Sequence, residues 1–291
     1  MKNSVKVKRA VLLVNHANKK ALRLAETISN DLAVLEINVD AFSNIDEKKA
    51  SDLAGCDIAI SLGGDGTVLS AARAMSPLNV PIFPVNLGTF GFIAGIDPIE
   101  WRKVFERWLS GKAPLSKRLM LEINVMRNEK IIYSGCSLND VVISASGIAK
   151  VINLGVSYIE SGRKESIMLG RYRSDGLIVS TPTGSTAYSA AAGGPILDPE
   201  LDAFIINPIC PFTLSNRPIV LPANETVLVE VEGAQRSSVL LTVDGQVTEK
   251  LKSGDRVFLK KAPYRCLLIA SSRADFFETL RTKLGWDGGK L

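Results

Sequence analysis

The apolar residues of this chain change period once, near residue 116, and that change sets its domain plan. Before it, short unbroken apolar runs alternate with helical repeats. "RAVLLVN" (Arg9 to Asn15) reads as a strand covered on both faces, and Ala21, Leu24, Ala25, Ile28 and Leu32 follow it at helical spacing. Two further runs, "DIAISL" (Asp57 to Leu62) and "VPIFPVN" (Val80 to Asn86), each lead into a glycine loop, and Val68, Leu69, Ala72 and Met75 form a helical face between them. The pattern predicts a parallel sheet with ligand loops at the carboxyl ends of its strands. "PIEWRKVFERWLSGK" adds a further helix.

From Lys117 the period drops to two. Leu119, Leu121, Ile123 and Val125 alternate with Met120, Glu122 and Asn124, "MRNEK" reads as a hairpin turn, and short strands such as "INLGVSYIE", "DGLIVSTP", "TVLVEVEG" and "VLLTVDGQV" recur to about Ser271. Two packed sheets are the expectation. The tail, "SSRADFFETLRTKLGW", turns helical again: Ser272 and Asp275 are spaced as a capping box, Phe276, Phe277, Leu280 and Leu284 form a stripe, and Gly285 is placed to stop it. The domains expected are therefore residues 1–116 (α/β), 117–271 (β-rich) and 272–291, a helix packing back on the first domain.

A chain of 291 residues that is 46% hydrophobic and 22% charged has the composition of folded material throughout. Lys and Arg exceed Asp and Glu by 35 to 30, and the excess is spread out. An anionic small ligand suits that distribution, and a nucleic-acid partner does not. The apolar run at Ala10 to Val14 is too short for a signal-peptide core and no stretch has the length of a membrane span, so no membrane partner and a cytoplasmic location are expected. Cys56, Cys136, Cys210 and Cys266 are widely spaced, which reads as reduced thiols. With His16 the single histidine, histidine-rich metal sites and Ser-His-Asp chemistry are hard to build.

Four motifs can carry chemistry. "GGDGT" lacks both the Lys-Ser/Thr ending of a P-loop and the spacing of a dinucleotide fingerprint, yet Gly63, Gly64 and Gly66 surround Asp65 more densely than a turn needs. Asp65 reads either as a cap for a helix that Thr67 begins or as an acid that takes a proton from an attacking hydroxyl or helps hold a divalent cation. The loop's tip is expected to face solvent. "NLGTFGF" (Asn86 to Phe92) supplies a second glycine loop. In "SLNDVVIS", Asn139 and Asp140 precede a strand, and a carboxylate beside an amide can accept from a ribose diol, although Asn-Asp is also an ordinary turn pair. "RSDGLIVSTPTGSTAYSAAAGGPI" offers hydroxyls, small residues and Tyr188, whose ring could stack on a base.

These four motifs, in this order and spacing, resemble the NAD kinases, and "FTLSNRPIVLP" with the closing "TKLGW" resembles their bacterial branch. The resemblance covers nearly the whole chain. It implies a Rossmann-like α/β N-terminal domain, a two-sheet β-sandwich C-terminal domain, a C-terminal helix returning to the first, and phosphorylation of the adenosine-ribose 2′-hydroxyl of NAD by ATP or another phosphoryl donor. By the same resemblance Asp65 is the proton acceptor, and Gly63, Gly64 and Thr67 form the phosphate loop. Asp65-Gly66 and Asn139-Asp140 then contact the dinucleotide, and Lys150, Arg173, Asp175, Thr186, Ala187, Tyr188, Ser189, Ala190, Ala191 and Gln246 complete the pocket. Mg²⁺ or Mn²⁺ is expected to come with ATP and not in a protein cage, and the protein to form a homodimer or homotetramer. Phe212 stands where many bacterial members have histidine, and Asp140 where others have glutamate. A lipid or sugar kinase shares the "GGDG" loop without "TPTGSTAY", and a non-catalytic dinucleotide sensor would keep the pocket without needing Asp65.

Overall fold

Four strands begin the chain, β1 (Arg9–Val14), β2 (Asn38–Phe42), β3 (Ile58–Gly63) and β4 (Ile82–Asn86), of which β1, β3 and β4 carry buried apolar runs and β2 does not, with helices α1 (Lys19–Val34), α2 (Ala50–Leu53), α3 (Asp65–Met75) and α4 (Trp101–Leu109) among and after them. They belong to a computed structural model that describes residues 5–42, 50–88, 91–147, 150–213, 216–233, 235 and 237–285. Thr89 and Phe90 of the second glycine loop, Leu214 and Ser215, and Trp286 lie outside the described residues. The chain divides into two compact units, Met1–Arg118 with Tyr264–Leu291, and Leu119–Pro263. Tyr264 to Ser271, which the sequence pattern places in the β-rich domain, thus belong to the first unit. There Leu268 pairs in parallel with Ile82 of β4.

In the first unit the strands run parallel in the order β2-β1-β3-β4. The order reverses beside β1, so the loops at the carboxyl ends of β1 and β3 flank the place where such sheets hold ligands. Every residue of β3 is buried, as a strand covered on both faces requires. Ala21, Ala25, Ile28 and Leu32 of α1 are buried at a 3.6-residue repeat, and the Asn18 side chain caps that helix by accepting from the Lys20 amide at 2.9 Å. Trp101, Phe105 and Trp108 bury one face of α4, with Phe105 edge-on to Phe83 at 5.7 Å between centroids.

The second unit is built of antiparallel strands: β5 (Leu115–Arg127) from Leu119, β6 (Lys130–Ser137), β7 (Asp140–Ala145), β8 (Ile152–Ile159), β9 (Ser166–Ser174), β10 (Gly176–Ser180), β11 (Ala203–Ile209), β12 (Ile219–Pro222), β13 (Thr226–Val231), β14 (Val239–Val243), β15 (Val247–Leu251) and β16 (Arg256–Ile269) as far as Pro263. A single helical turn, α5 (Tyr188–Ala191), interrupts them. One sheet has the order β12-β11-β10-β7-β14-β15, and β16-β13-β8-β9 run together in the other. Alternate residues such as Val227, Val229 and Val231 of β13 meet Val141, Leu177 and Leu241 of the facing sheet in one continuous core. Each such side chain contributes roughly 1.5–3 kcal/mol on burial, which makes this a β-sandwich held by its interior. The β5-β6 turn has both Asn128 and Glu129 at positive φ, the geometry a two-residue hairpin demands.

Helix α6 (Arg273–Lys283) closes the described chain. Its capping box forms as the spacing predicts, with Ser272 and Asp275 exchanging side-chain-to-backbone hydrogen bonds. Gly285 follows at positive φ. The apolar stripe is narrower than its spacing suggests: Phe276 and Leu280 are buried, whereas Phe277 and Leu284 are exposed. The Arg273 guanidinium covers the Phe277 ring at 5.6 Å, so that ring keeps a partner at the surface. Among the described residues no helix is long and apolar enough to cross a membrane.

Candidate functional site

The "GGDGT" loop leaves β3 and enters α3 with no intervening coil. Gly64 is the N-cap and Asp65 the first helical residue, so the helix starts two residues before Thr67 and Asp65 is not its cap. Its side chain does something else. One carboxylate oxygen accepts from the Phe92 amide at 2.7 Å, and the other from the amides of Ile93 and Ala94 at 3.1 and 2.9 Å. The tip therefore does not simply face solvent: the carboxylate is fixed by the loop that follows β4, and three of its roughly four lone-pair positions are filled. A Cβ on Gly91 would stand 2.8 Å from Asp65 Oδ1, which is why this position of the second loop is bare. The two loops are tied again by the Leu87 amide, which donates to the Gly63 carbonyl at 2.9 Å.

The C-terminal helix completes this cluster. Lys283 Nζ donates to the Gly91 carbonyl and lies 5.5 Å from the centre of the Phe92 ring. Burial pushes its ammonium below the ordinary lysine range, and the negative charge of Asp65 opposes that shift. Thr67 donates its amide to the Gly64 carbonyl at 3.0 Å, and Gly66 is exposed.

In the second unit the Asn139-Asp140 pair opens β7. Asp140 is 4% exposed and Asn139 8%. No described residue donates to the Asp140 carboxylate, and burial first, then the charge of Asp244, push its pKa up to about 7. The Asn139 side-chain carbonyl and the Thr183 hydroxyl are buried without a hydrogen-bond partner. The backbone around them is well satisfied: Thr181 donates its amide to the Asn139 carbonyl at 2.9 Å and its hydroxyl to the Leu138 carbonyl at 2.5 Å. The hydroxyl-rich segment after β10 coils into a 3-10 turn, Thr183–Thr186, and then α5. Gly184 lets that turn lie on the strand entrance, since a Cβ there would reach 2.1 Å from the Asn139 carbonyl oxygen. Buried groups with unmet hydrogen bonds are rare, and two of them lie in these neighbouring segments.

The remaining sequence candidates are placed more loosely. Ser189 is fully buried and its carbonyl accepts from the Asn207 side chain at 3.0 Å. Tyr188 is half exposed, Thr186, Ala187 and Ala190 are half-buried, and Ala191, Lys150 and Gln246 are exposed. Asp175 is half-buried at the entrance of β10 and its amide donates to the Ile209 carbonyl at 3.0 Å. Arg173 is exposed, with its guanidinium 4.9 Å above the Phe212 ring, and the Phe212 amide donates to the Arg173 carbonyl at 2.8 Å. Phenylalanine at 212 thus holds the arginine by its ring face, a contact that needs no imidazole.

Two family descriptions match the chain: ATP-NAD kinase N-terminal domain over residues 5–113 and ATP-NAD kinase C-terminal domain over residues 138–271. An NAD kinase of Treponema denticola is 47% identical over 232 residues, 80% of this chain and 80% of that protein. The chain belongs to the ATP-NAD kinase family. Solved structures share its fold at 24% identity: yeast NADH kinase complexed with NADH (TM-score 0.86, covering 98% of this chain and 89% of that one) and an NAD kinase from Archaeoglobus fulgidus in complex with ATP (TM-score 0.72, covering 95% and 98%).

Within this ATP-NAD kinase fold one residue that the sequence reading passed over stands out. Asp244, 6% exposed and at positive φ, turns its carboxylate onto Ser137, Leu138, Asn139 and Asp140. The signal was present in "VDGQV": Asp-Gly between two strand patterns reads as a turn, and an aspartate in such a turn can hold another segment as well as its own.

Asp140 carries a stability cost that can be measured. Its carboxyl is neutral in folded and unfolded chains below the ordinary carboxylate range, and above that range the unfolded chain ionises while the folded one keeps its proton until about pH 7. Stability is therefore lost on the way up, on the order of 4 kcal/mol by pH 8. An amide in its place forfeits ~1–3 kcal/mol through its own unmet hydrogen bonds. Asp140→Asn should melt above wild type at pH 8 and lose that advantage at pH 4. Equal melting temperatures at pH 8 would show that the charge is not the burden its surroundings make it.

Proposed function

We propose that the protein is an NAD kinase that transfers a phosphoryl group from ATP, or another donor, to the adenosine-ribose 2′-hydroxyl of NAD, giving NADP. The observation that carries the reading is the buried carboxyl of Asp140, its pKa raised, beside a buried acceptor without a partner at Asn139 Oδ1, with a second buried, unpartnered hydroxyl at Thr183 Oγ1. A ribose diol supplies the hydroxyl donors that such a set lacks. Family membership over both units and the printed ligands of the fold relatives, NADH and ATP, support it. A cytoplasmic location suits such a reaction.

In this reading Asp65 accepts the hydroxyl proton with the acceptor position its amide contacts leave open. Fixing a base by three backbone amides removes rotamer freedom before the substrate arrives, which favours the transition state over the ground state. Gly63, Gly64 and Thr67 offer the start of α3 to donor phosphates. Lys150, Arg173, Asp175, Gln246 and residues 186–191 bound the dinucleotide, with Tyr188 available to stack on a base. Among the described residues no three His, Cys, Asp or Glu side chains converge on one point. A divalent cation is assigned to the donor's phosphates, whose oxygens are the hard ligands that Mg²⁺ takes.

Asp65→Asn should lower kcat by ~10²–10⁴-fold while KM for NAD moves little. Asparagine also turns an N–H toward the amides of the second loop, so the melting temperature must be read alongside. Asp140→Asn should behave differently and raise KM for NAD by a factor corresponding to ~1.5–3 kcal/mol. Steady-state kinetics on both variants decide this: an Asp65→Asn enzyme within a few-fold of wild-type kcat would make Asp65 an anchor for the loop and not the base.

Chelation provides a second test. Activity with NAD and ATP should vanish with EDTA and return with Mg²⁺ or Mn²⁺, and an active enzyme that retains its ion through dialysis and chelator would overturn the assignment. For assembly, the edge strand β9 exposes Ile167 and Met168, and β6 exposes Ile131 and Ile132, apolar surface that suits a homodimer or homotetramer. Light scattering on active enzyme at micromolar concentration should show more than one chain; an active monomer would exclude this.

A further inference from the structure

Asp244 lies outside the groups assigned to substrate or donor, yet its contacts converge on the groups assigned to the ribose. Oδ1 accepts from the Ser137 hydroxyl at 2.7 Å, the Asn139 amide at 2.8 Å and the Asp140 amide at 3.3 Å, and Oδ2 from the Leu138 amide at 3.2 Å. Its own amide donates to the Asp140 carbonyl at 3.0 Å. A single side chain thus collects the donors of four consecutive residues and bends them into the entrance of β7. We propose that Asp244 is a positioning residue for NAD: it shapes the Asn139-Asp140 turn so that both acceptors face the ribose, and it sets a second carboxylate beside that of Asp140.

The inference rests on the reading that Asp140 holds a ribose diol. Two physical facts set its form. Asp244 has φ +49°, a conformation that asparagine shares readily, so Asp244→Asn keeps the backbone and the Oδ1 acceptor while removing the charge and the Leu138 bond. The strands beside β7 bring uncharged residues to Asp140, with Ser180 of β10 directly opposite and Val243 of β14 opposite Val141, and the loop after β10 brings Thr181 and Thr183. Asp244 is the charged group that bears on Asp140.

The test is KM for NAD with ATP from pH 5.5 to 8.5, measured on wild type, Asp140→Asn, Asp244→Asn and Asp244→Ala, with thermal melts of each. Wild type should lose affinity on acidification as Asp140 takes up its proton. Asp244→Asn should move that loss to lower pH, giving at pH 6 a KM roughly 3- to 10-fold below wild type, which a purely structural role would not produce. Asp244→Ala, which strands the amides, should raise KM ~10-fold or more at pH 8. Should that variant fail to fold, the asparagine variant alone decides: an acid limb unmoved from wild type overturns the proposal. If Asp140→Asn leaves KM and its pH dependence as in wild type, the ribose reading falls first. If Asp140→Asn raises KM while both Asp244 variants match wild type, only the role of Asp244 falls.

Discussion

The three amides that hold the Asp65 carboxylate are the contact from which the chemistry of the first unit follows. They belong to Phe92, Ile93 and Ala94, after β4, while Asp65 follows β3. Parallel pairing of β3 with β4 brings both carboxyl ends to one edge, and the bond from the Leu87 amide to the Gly63 carbonyl extends that pairing past the strands. A carboxylate in a glycine loop would repel phosphate if left to swing. Fixed by amides at the start of a helix, it presents one lone pair in one direction, and the positive ends of the neighbouring N–H dipoles offset its charge. The bareness of Gly91 is part of the same contact, because any side chain there would displace Oδ1.

Three aspartates in the second unit show how burial is offset in different ways. Asp255 is fully buried, but Arg127 grips both its oxygens at 2.8 and 2.7 Å and the Lys252 amide adds a third bond at 2.7 Å. Asp244 is satisfied by the amides and hydroxyl of one turn. Asp140 is as deeply placed and receives nothing comparable from the described residues. Pairing of the first kind holds a fold together, since removal of one partner leaves a charge stranded. The third arrangement destabilises the folded protein, because the buried carboxyl gains no compensating partner.

Much of this was legible in the sequence. Period decides the fold: unbroken apolar runs gave β1, β3 and β4, the repeat in Ala21 to Leu32 gave α1, and alternation gave β5, β13 and β14, because buried faces leave those traces directly. The capping box at Ser272 and the stop at Gly285 were readable for the same reason, being local. Other features were hidden because they depend on contacts distant in sequence. Nothing in "GGDGT" says that Asp65 will be claimed by amides 27 to 29 residues later. Likewise, Asp244 acts across more than 100 residues on the turn before β7. The exposure of Phe277 and Leu284 was misread because helical spacing fixes which residues share a face and not how wide a strip of it is covered.

The position of Arg173 shows how an exposed ring can orient a cation without a hydrogen bond from its side chain. A histidine at 212 could hydrogen-bond; Phe212 cannot, and it is 72% exposed, so its ring adds nothing to a core. What it provides is a flat π face 4.9 Å from a guanidinium, on a residue whose amide is already bonded to the arginine's own carbonyl. The backbone bond brings the two residues together and the ring then limits where the long cationic side chain can lie. At such exposure the contact contributes ~0.5–1 kcal/mol, too little to matter for the fold and enough to bias the arginine among its rotamers. An exposed aromatic beside an exposed cation is therefore better understood as orientation of that cation than as stabilisation of the protein.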